Sequence, residues 1–226
     1  MECQMSNLEK NGFEILQNFV SQDSMNEIKH EVEAYDALDS KYGIRSADKR
    51  FSTIDKLAQS SLLIDKAIEI LGSQPQVVRV IYFDKTKDNN WLVPWHQDRT
   101  IALNKKVDVN GWGRWSVKDG VPHVQPSIDV LERMVTFRVH LDDSDQDNGC
   151  LKVIPYTHRL GLLEQQEIQK ITAQNSFVNC EVKAGDVVLM RPHILHASSK
   201  CEVAYHRRIV HIEYSNYRLP QGLEWA

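Results

Sequence analysis

Two short fragments far apart in the chain, Pro94-Trp95-His96-Gln97-Asp98 and His193-Ile194-Leu195-His196-Ala197-Ser198, carry the residue types that hold a metal ion. On a β-strand successive side chains alternate faces, so His96 and Asp98 point the same way while Gln97 points the other. A histidine from a distant strand would complete one face of an octahedron. That set of two histidines and one carboxylate suits Fe(II) and leaves positions open for a co-substrate and O2. A His-x-Asp pair alone recurs by chance, and most histidines, with His30 and His158 as examples here, are surface or hydrogen-bonded core residues.

The second fragment strengthens the reading. Ala184-Gly185-Asp186 is a turn, Val187 to Met190 an apolar strand, and the histidines follow at its far end, where a rigid scaffold positions functional groups. Pro192 argues against a helix, so the three-residue spacing of His193 and His196 does not place them on one helical face. Either of the two fits as third ligand by spacing. Downstream, Arg207-Arg208-Ile209-Val210-His211-Ile212-Glu213-Tyr214 reads as a strand with two guanidinium groups, either able to clamp a carboxylate. Arg207 shares the more polar face with His211 and Glu213; Arg208 shares the apolar face that would pack against helices. On Met134 to Leu141 the same alternation puts Arg138 with Thr136 and His140, opposite Val135, Phe137 and Val139.

The elements that must position these groups are mostly strands. Gly12 to Leu16 reads as a short strand, followed by a helix opening at Ser21 with Met25, Ile28 and Val32 on one face. A second helix spans about Ser60 to Leu71, closed by Gly72. From Val77 onward short apolar or alternating runs dominate: Val77 to Asp84, Trp91 to Asp98, Met134 to Leu141, Leu151 to Pro155, Asp186 to Met190 and Arg208 to Tyr214. The fold class expected is mainly β with flanking helices, a double-stranded β-helix: a jelly-roll, cupin-like barrel. Between Leu103 and Leu131 no period is sustained, which reads as a lid or binding loop. The turn Asp142 to Gly149 carries four aspartates but lacks the closing Glu of a calcium loop, and is read as a solvated hairpin turn.

A chain of 226 residues with 42% hydrophobic content supports one substantial core, so a single domain over 1–226 is expected. The net charge of -4 offers no basic footprint for nucleic acid or an anionic membrane. No run approaches the about 20 apolar residues of a membrane span, and the start at Met1 lacks a secretory pattern. Cys3, Cys150, Cys180 and Cys201 show no zinc-knuckle spacing and are expected as reduced thiols in a cytoplasmic protein.

With these fragments in order, the chain resembles the phytanoyl-CoA dioxygenase family of Fe(II)- and 2-oxoglutarate-dependent oxygenases. The likeness spans nearly the whole length: Asn11-Gly12-Phe13-Glu14-Ile15-Leu16 with its following helix, Trp95-His96-Gln97-Asp98, and Asp147-Asn148-Gly149-Cys150-Leu151-Lys152-Val153-Ile154-Pro155-Tyr156-Thr157-His158, where Tyr156-Thr157 replaces the usual Gly-Ser. The resemblance implies that His96, Asp98 and His196 are the catalytic metal ligands, His196 being the histidine with a serine two residues later. It places the co-substrate arginine eleven residues beyond, at Arg207, with Ser198 beside it and Arg138 in a supporting position. It implies Fe(II), with 2-oxoglutarate and O2 as co-substrates and succinate and CO2 as products. Members that halogenate carry a small residue in place of the carboxylate ligand, so Asp98 speaks for hydroxylation or another oxidation.

A small-molecule substrate is expected. Trp91, Trp95, Trp112 and Trp115 are candidates to pack against it or simply to fill core and loop; His123, Arg99 and Arg114 are candidate polar contacts. No basic cluster suits the phosphates of coenzyme A. Two rivals use the same residues: a zinc hydrolase with a bound water, and a catalytically silent ligand-binding barrel. The first has no need of Ser198 and Arg207, and the intact triad speaks against the second.

Overall fold

A computed structural model describes residues 6–35, 43–87, 89–202 and 206–226. With strands numbered along the chain, the larger sheet is built from β1 (Phe13–Leu16), β2 (Ile44–Arg45), β3 (Gln76–Lys85), β8 (Met134–His140), β11 (Val187–Met190) and β13 (Arg207–Ser215), in the spatial order β1-β11-β8-β13-β3-β2. The smaller sheet holds β4 (Val93–His96), β9 (Leu151–Ile154), β10 (Val178–Cys180) and β12 (Leu195–Ser198), ordered β10-β9-β12-β4. All the pairings are antiparallel.

The two sheets pack face to face through Leu151, Val153, Cys180 and Val182 on one side and Val188 and Met190 on the other, capped by Phe13 and Ile15. This is the expected jelly roll, as a two-sheet sandwich; among the described residues no backbone ladder closes the sheets into one barrel. The outer face of the larger sheet buries Val135, Phe137, Val139, Val210, Ile212 and Tyr214 against helices. Those helices are α2 (Gln22–Glu33), α3 (Ser52–Ala58) and α4 (Ser61–Leu71), preceded in the chain by the single turn α1 (Asn7–Asn11). Serine caps at Ser21 and Ser60 satisfy the first free amides of α2 and α4, worth about 1 kcal/mol each, and Gly72 at φ 79° ends α4 in the left-handed region. Burial of Phe137, fully enclosed, contributes about 2 to 3 kcal/mol by area.

The stretch expected to be an irregular lid folds as a third sheet instead. It holds β5 (Ile101–Ala102), β6 (Gly113–Lys118) and β7 (Val121–Gln125), ordered β5-β7-β6 and followed by α5 (Ile128–Glu132). The signal was the Asp119-Gly120 pair: both residues adopt positive φ, 49° and 81°, the mirror-image turn whose twist matches a two-residue hairpin. Trp112 and Trp115 pack on the core behind this sheet. The helix α6 (Gln165–Gln174), between β9 and β10, covers Trp95 through Ile168 and Ile171. In the acidic turn Asp142 pairs with Arg208 and Lys29, and Asp143 with Lys183. Cys150 and Cys180 are buried free thiols, pushed up to about 11 and about 12 by burial; Cys3 lies outside the described residues. No helix among the described residues is long and apolar enough to cross a membrane.

Candidate active site

The smaller sheet brings the two sequence fragments together. His96 on β4 and His196 on β12 are direct partners in an antiparallel register, so residues one hundred apart in sequence face one cavity. His96 Nε2 lies 3.6 Å from Asp98 Oδ1, and His196 Nε2 lies 3.5 Å from Asp98 Oδ2. The three ligand atoms fall within 4.8 Å of one another. Strand β4 ends at His96, and just beyond it Gln97 points away from the ligands. Its amide donates to the carbonyls of Gly161 (2.8 Å) and His193 (2.7 Å) and accepts from Leu163 N–H (2.9 Å), pinning the segment that carries the ligands.

Burial and mutual contact set the protonation of the three ligands. Burial alone would raise the pKa of Asp98, but the imidazoles of His196 and His96 outweigh it and hold the carboxyl well below the usual range. Burial, reinforced by repulsion from His96, lowers His196 to about 3, so its ring is neutral and its Nε2 lone pair is available. His96 runs the other way: burial opposes its charge, but the Asp98 carboxylate outweighs it and raises the pKa, so a divalent metal, which requires neutral imidazoles, must displace the proton His96 carries. His193 is elsewhere, its ring 6.4 Å from that of His158.

The cavity in front of the triad has a volume of about 190 Å³ and is lined also by Arg138, Ser198, Arg207, Phe83 and Trp91. Of the four tryptophans considered, Trp91 alone lines it among the described residues; Arg99 and Arg114 instead bond Leu163 and Glu164 on the surface. Arg207 is 3% exposed and Arg138 7% exposed, yet neither has a carboxylate partner among the described residues. Arg207 donates to Gly149 O and leaves Nε unpartnered; Arg138 reaches His211 Nδ1 at 3.0 Å and also leaves Nε unpartnered. Arg208, by contrast, is held by Asp142 and Glu33 on the helix-facing side.

One residue escaped the sequence reading. Lys85, fully buried, sits directly opposite Arg207 on the β3–β13 ladder, a like-charged rung that costs stability unless an anion intervenes. Its ammonium donates to Ser198 Oγ (3.0 Å) and Ser199 O (2.8 Å), and burial together with Arg207 and Arg138 lowers it to about 7. A lysine at a strand end carries no local signal of this role. Two buried guanidinium groups with unpartnered donors in the cavity, Arg138 and Arg207, fit a dicarboxylate, and 2-oxoglutarate has that chemistry.

A buried polar chain backs the site. Arg138 bonds His211, His211 Nε2 bonds Glu213 Oε1 at 3.1 Å, and Glu213 pairs with Arg79 at 2.5 Å. Asp98, His211 and Glu213 are also mutually close, but His211 and Glu213 are already committed to these partners, so the group is an ion-pair network.

Comparison with known proteins agrees with this geometry. The sequence model of the family described as phytanoyl-CoA dioxygenase matches residues 8–208. An ectoine dioxygenase of Nocardia farcinica is 21% identical over 87% of this chain and 71% of its own length. Among solved structures, AviO1 of Streptomyces viridochromogenes superposes with a TM-score of 0.70 at 21% identity, over 94% of this chain and 93% of that one. HygX of Streptomyces hygroscopicus, solved with nickel and 2-oxoglutarate bound, gives 0.68 at 14% identity, covering 95% and 86%. At these identities the structural likenesses speak for the fold.

Proposed function

Since the chain belongs to the phytanoyl-CoA dioxygenase family, whose members are Fe(II)- and 2-oxoglutarate-dependent oxygenases, we propose that His96, Asp98 and His196 hold its iron and that Arg207, Ser198 and Arg138 receive 2-oxoglutarate. The observation that supports this best is the pairing of His96 with His196 across one ladder, with Asp98 between them and two uncompensated guanidinium groups in the same cavity. When bound, iron with 2-oxoglutarate and O2 supplies the oxidising power, with succinate and CO2 released.

The protein's own residues bind, orient and exclude water. Carbonyls of Pro94 and Ile194 fix the tautomers of the two histidines. Arg207, whose Nε has no partner, and Ser198 line the same cavity as the metal ligands and would hold a dicarboxylate bound there. Arg138, held in place by His211, adds positive charge to the same cavity. Phe83 and Trp91 provide walls that limit water.

We read residues 1–226 as one such oxygenase unit acting on a small molecule by hydroxylation, with Asp98 as the feature that favours oxygen insertion. The buried thiols Cys150 and Cys180 support a reducing, cytoplasmic setting. The test is anaerobic titration of the Fe(II)-loaded protein with 2-oxoglutarate, which gives a visible charge-transfer band. Absence of the band at saturation, or hydrolytic turnover with Zn(II) alone, overturns the reading.

A further inference from the structure

Beside the metal cavity lies a larger one of about 630 Å³, the size of a site for a small metabolite. Three residues line both cavities: Arg45 from β2, Arg79 from β3 and Lys118 from β6. A molecule reaching from the larger cavity toward Asp98 therefore passes three cations delivered by three strands.

Their partners differ. Arg79 is committed to Glu213 and Arg45 to Asp119 at 3.1 Å. The Lys118 ammonium has no hydrogen-bond or ion-pair partner among the described residues, although the side chain is partly buried. Burial and the neighbouring Arg79 and Arg45 work against its charge, Asp98 and Glu213 offset this only in part, and an incoming anion relieves it. Arg79 Nε, also buried and unpartnered, faces the same need.

A second group specifies the neighbouring chemistry. His123 is 2% exposed and lines the larger cavity. Its Nδ1–H donates to Val121 O at 3.0 Å, which makes Nε2 an acceptor; that atom is buried and has no partner. A hydroxyl or N–H donor on the ligand would satisfy it. Away from the shared stretch the wall remains polar, with Asp48, Asp65, Gln59 and Ser61, which does not suit a long hydrocarbon chain.

We propose that the substrate is a small polar molecule with a carboxylate-sized anionic group near the position oxidised, bound by Lys118, and with a hydroxyl or N–H beside it that donates to His123. This rests on the oxygenase reading and names the substrate class for the same site.

The test uses protein loaded with Zn(II), a diamagnetic substitute for iron, and 2-oxoglutarate, with ligand-observed NMR titrations of L-lactate, lactamide and propionate. Lactate should bind at least about tenfold more tightly than lactamide, and more tightly than propionate. Lys118→Met should remove the preference for lactate over lactamide, Lys118→Arg should restore it, and His123→Phe should remove the preference for lactate over propionate. Equal binding of lactate and lactamide, binding of neither, or a preference that survives Lys118→Met overturns the proposal. Melting temperatures of the variants separate misfolding from lost recognition. Failure of the oxygenase reading has a different signature: the Fe(II)-loaded wild type would then show no charge-transfer band with 2-oxoglutarate.

Discussion

His96 and His196 share a rung of the β4–β12 ladder, their ring centroids 4.2 Å apart, and each directs Nδ1 to the carbonyl two residues before it, Pro94 O and Ile194 O, at 2.9 Å. The same local device on two strands turns both Nε2 atoms toward Asp98. Backbone carbonyls thus set the orientation of both imidazoles.

Removing the carboxylate breaks that face while leaving both ladders intact. Asp98→Ala should lose succinate formation by more than the about 100-fold that loss of an outer partner costs, with melting little changed. Metal content and succinate, measured on the same sample, check this.

Neighbouring arginines on β13 should separate cleanly. Arg207→Ala removes a buried donor facing the cavity and should weaken 2-oxoglutarate by about 1.5 to 3 kcal/mol, roughly 10- to 100-fold in Kd. Arg208→Ala instead loses its pairing with Asp142 and Glu33, lowering stability by about 1 kcal/mol with an unchanged 2-oxoglutarate Kd. Titration of the charge-transfer band and thermal melting report the two effects separately.

The ammonium of Lys85 stands behind Ser198 with its pKa lowered to about 7. A protonated Lys85 favours a dianion, so affinity is fully present below that pH and declines as the proton is lost above it. Between pH 6.5 and 8.5 the 2-oxoglutarate Kd should rise about 3- to 10-fold, and Lys85→Met should flatten the profile. An equally steep profile in the variant would remove Lys85 from the account.

Gly149 accepts hydrogen bonds from both Ser198 and Arg207 through its carbonyl, at φ 74°. A Cβ there would lie 2.4 Å from Ser199 O, so Gly149→Ala forces the turn and the bonds it anchors to shift. Stability should fall by about 1 to 3 kcal/mol and the 2-oxoglutarate Kd should rise with it, read by melting and band titration together.

Much of the site was legible because β-strands repeat every two residues. That period alone put His96 with Asp98, assigned Arg207 and Arg208 to opposite faces of β13, and placed Arg138 on the inner face of β8. The family likeness then chose His196 over His193 and Arg207 over Arg208. The hairpin at Asp119-Gly120 was also legible in principle, since Asp-Gly is a turn signal, but β6 is too mixed in pattern to read as a strand.

What the amino-acid order determined by itself was therefore local: residue types, the face each side chain takes, and the caps and turns that bound each element. Which strands lie side by side was decided only by the tertiary structure. That pairing set Lys85 against Arg207, Glu213 against Arg79 and His211 against Arg138, and it brought Arg45, Arg79 and Lys118 to one passage. The physical reason is that register is fixed by burial of whole sheet faces across the core, a collective choice that no short stretch of chain encodes.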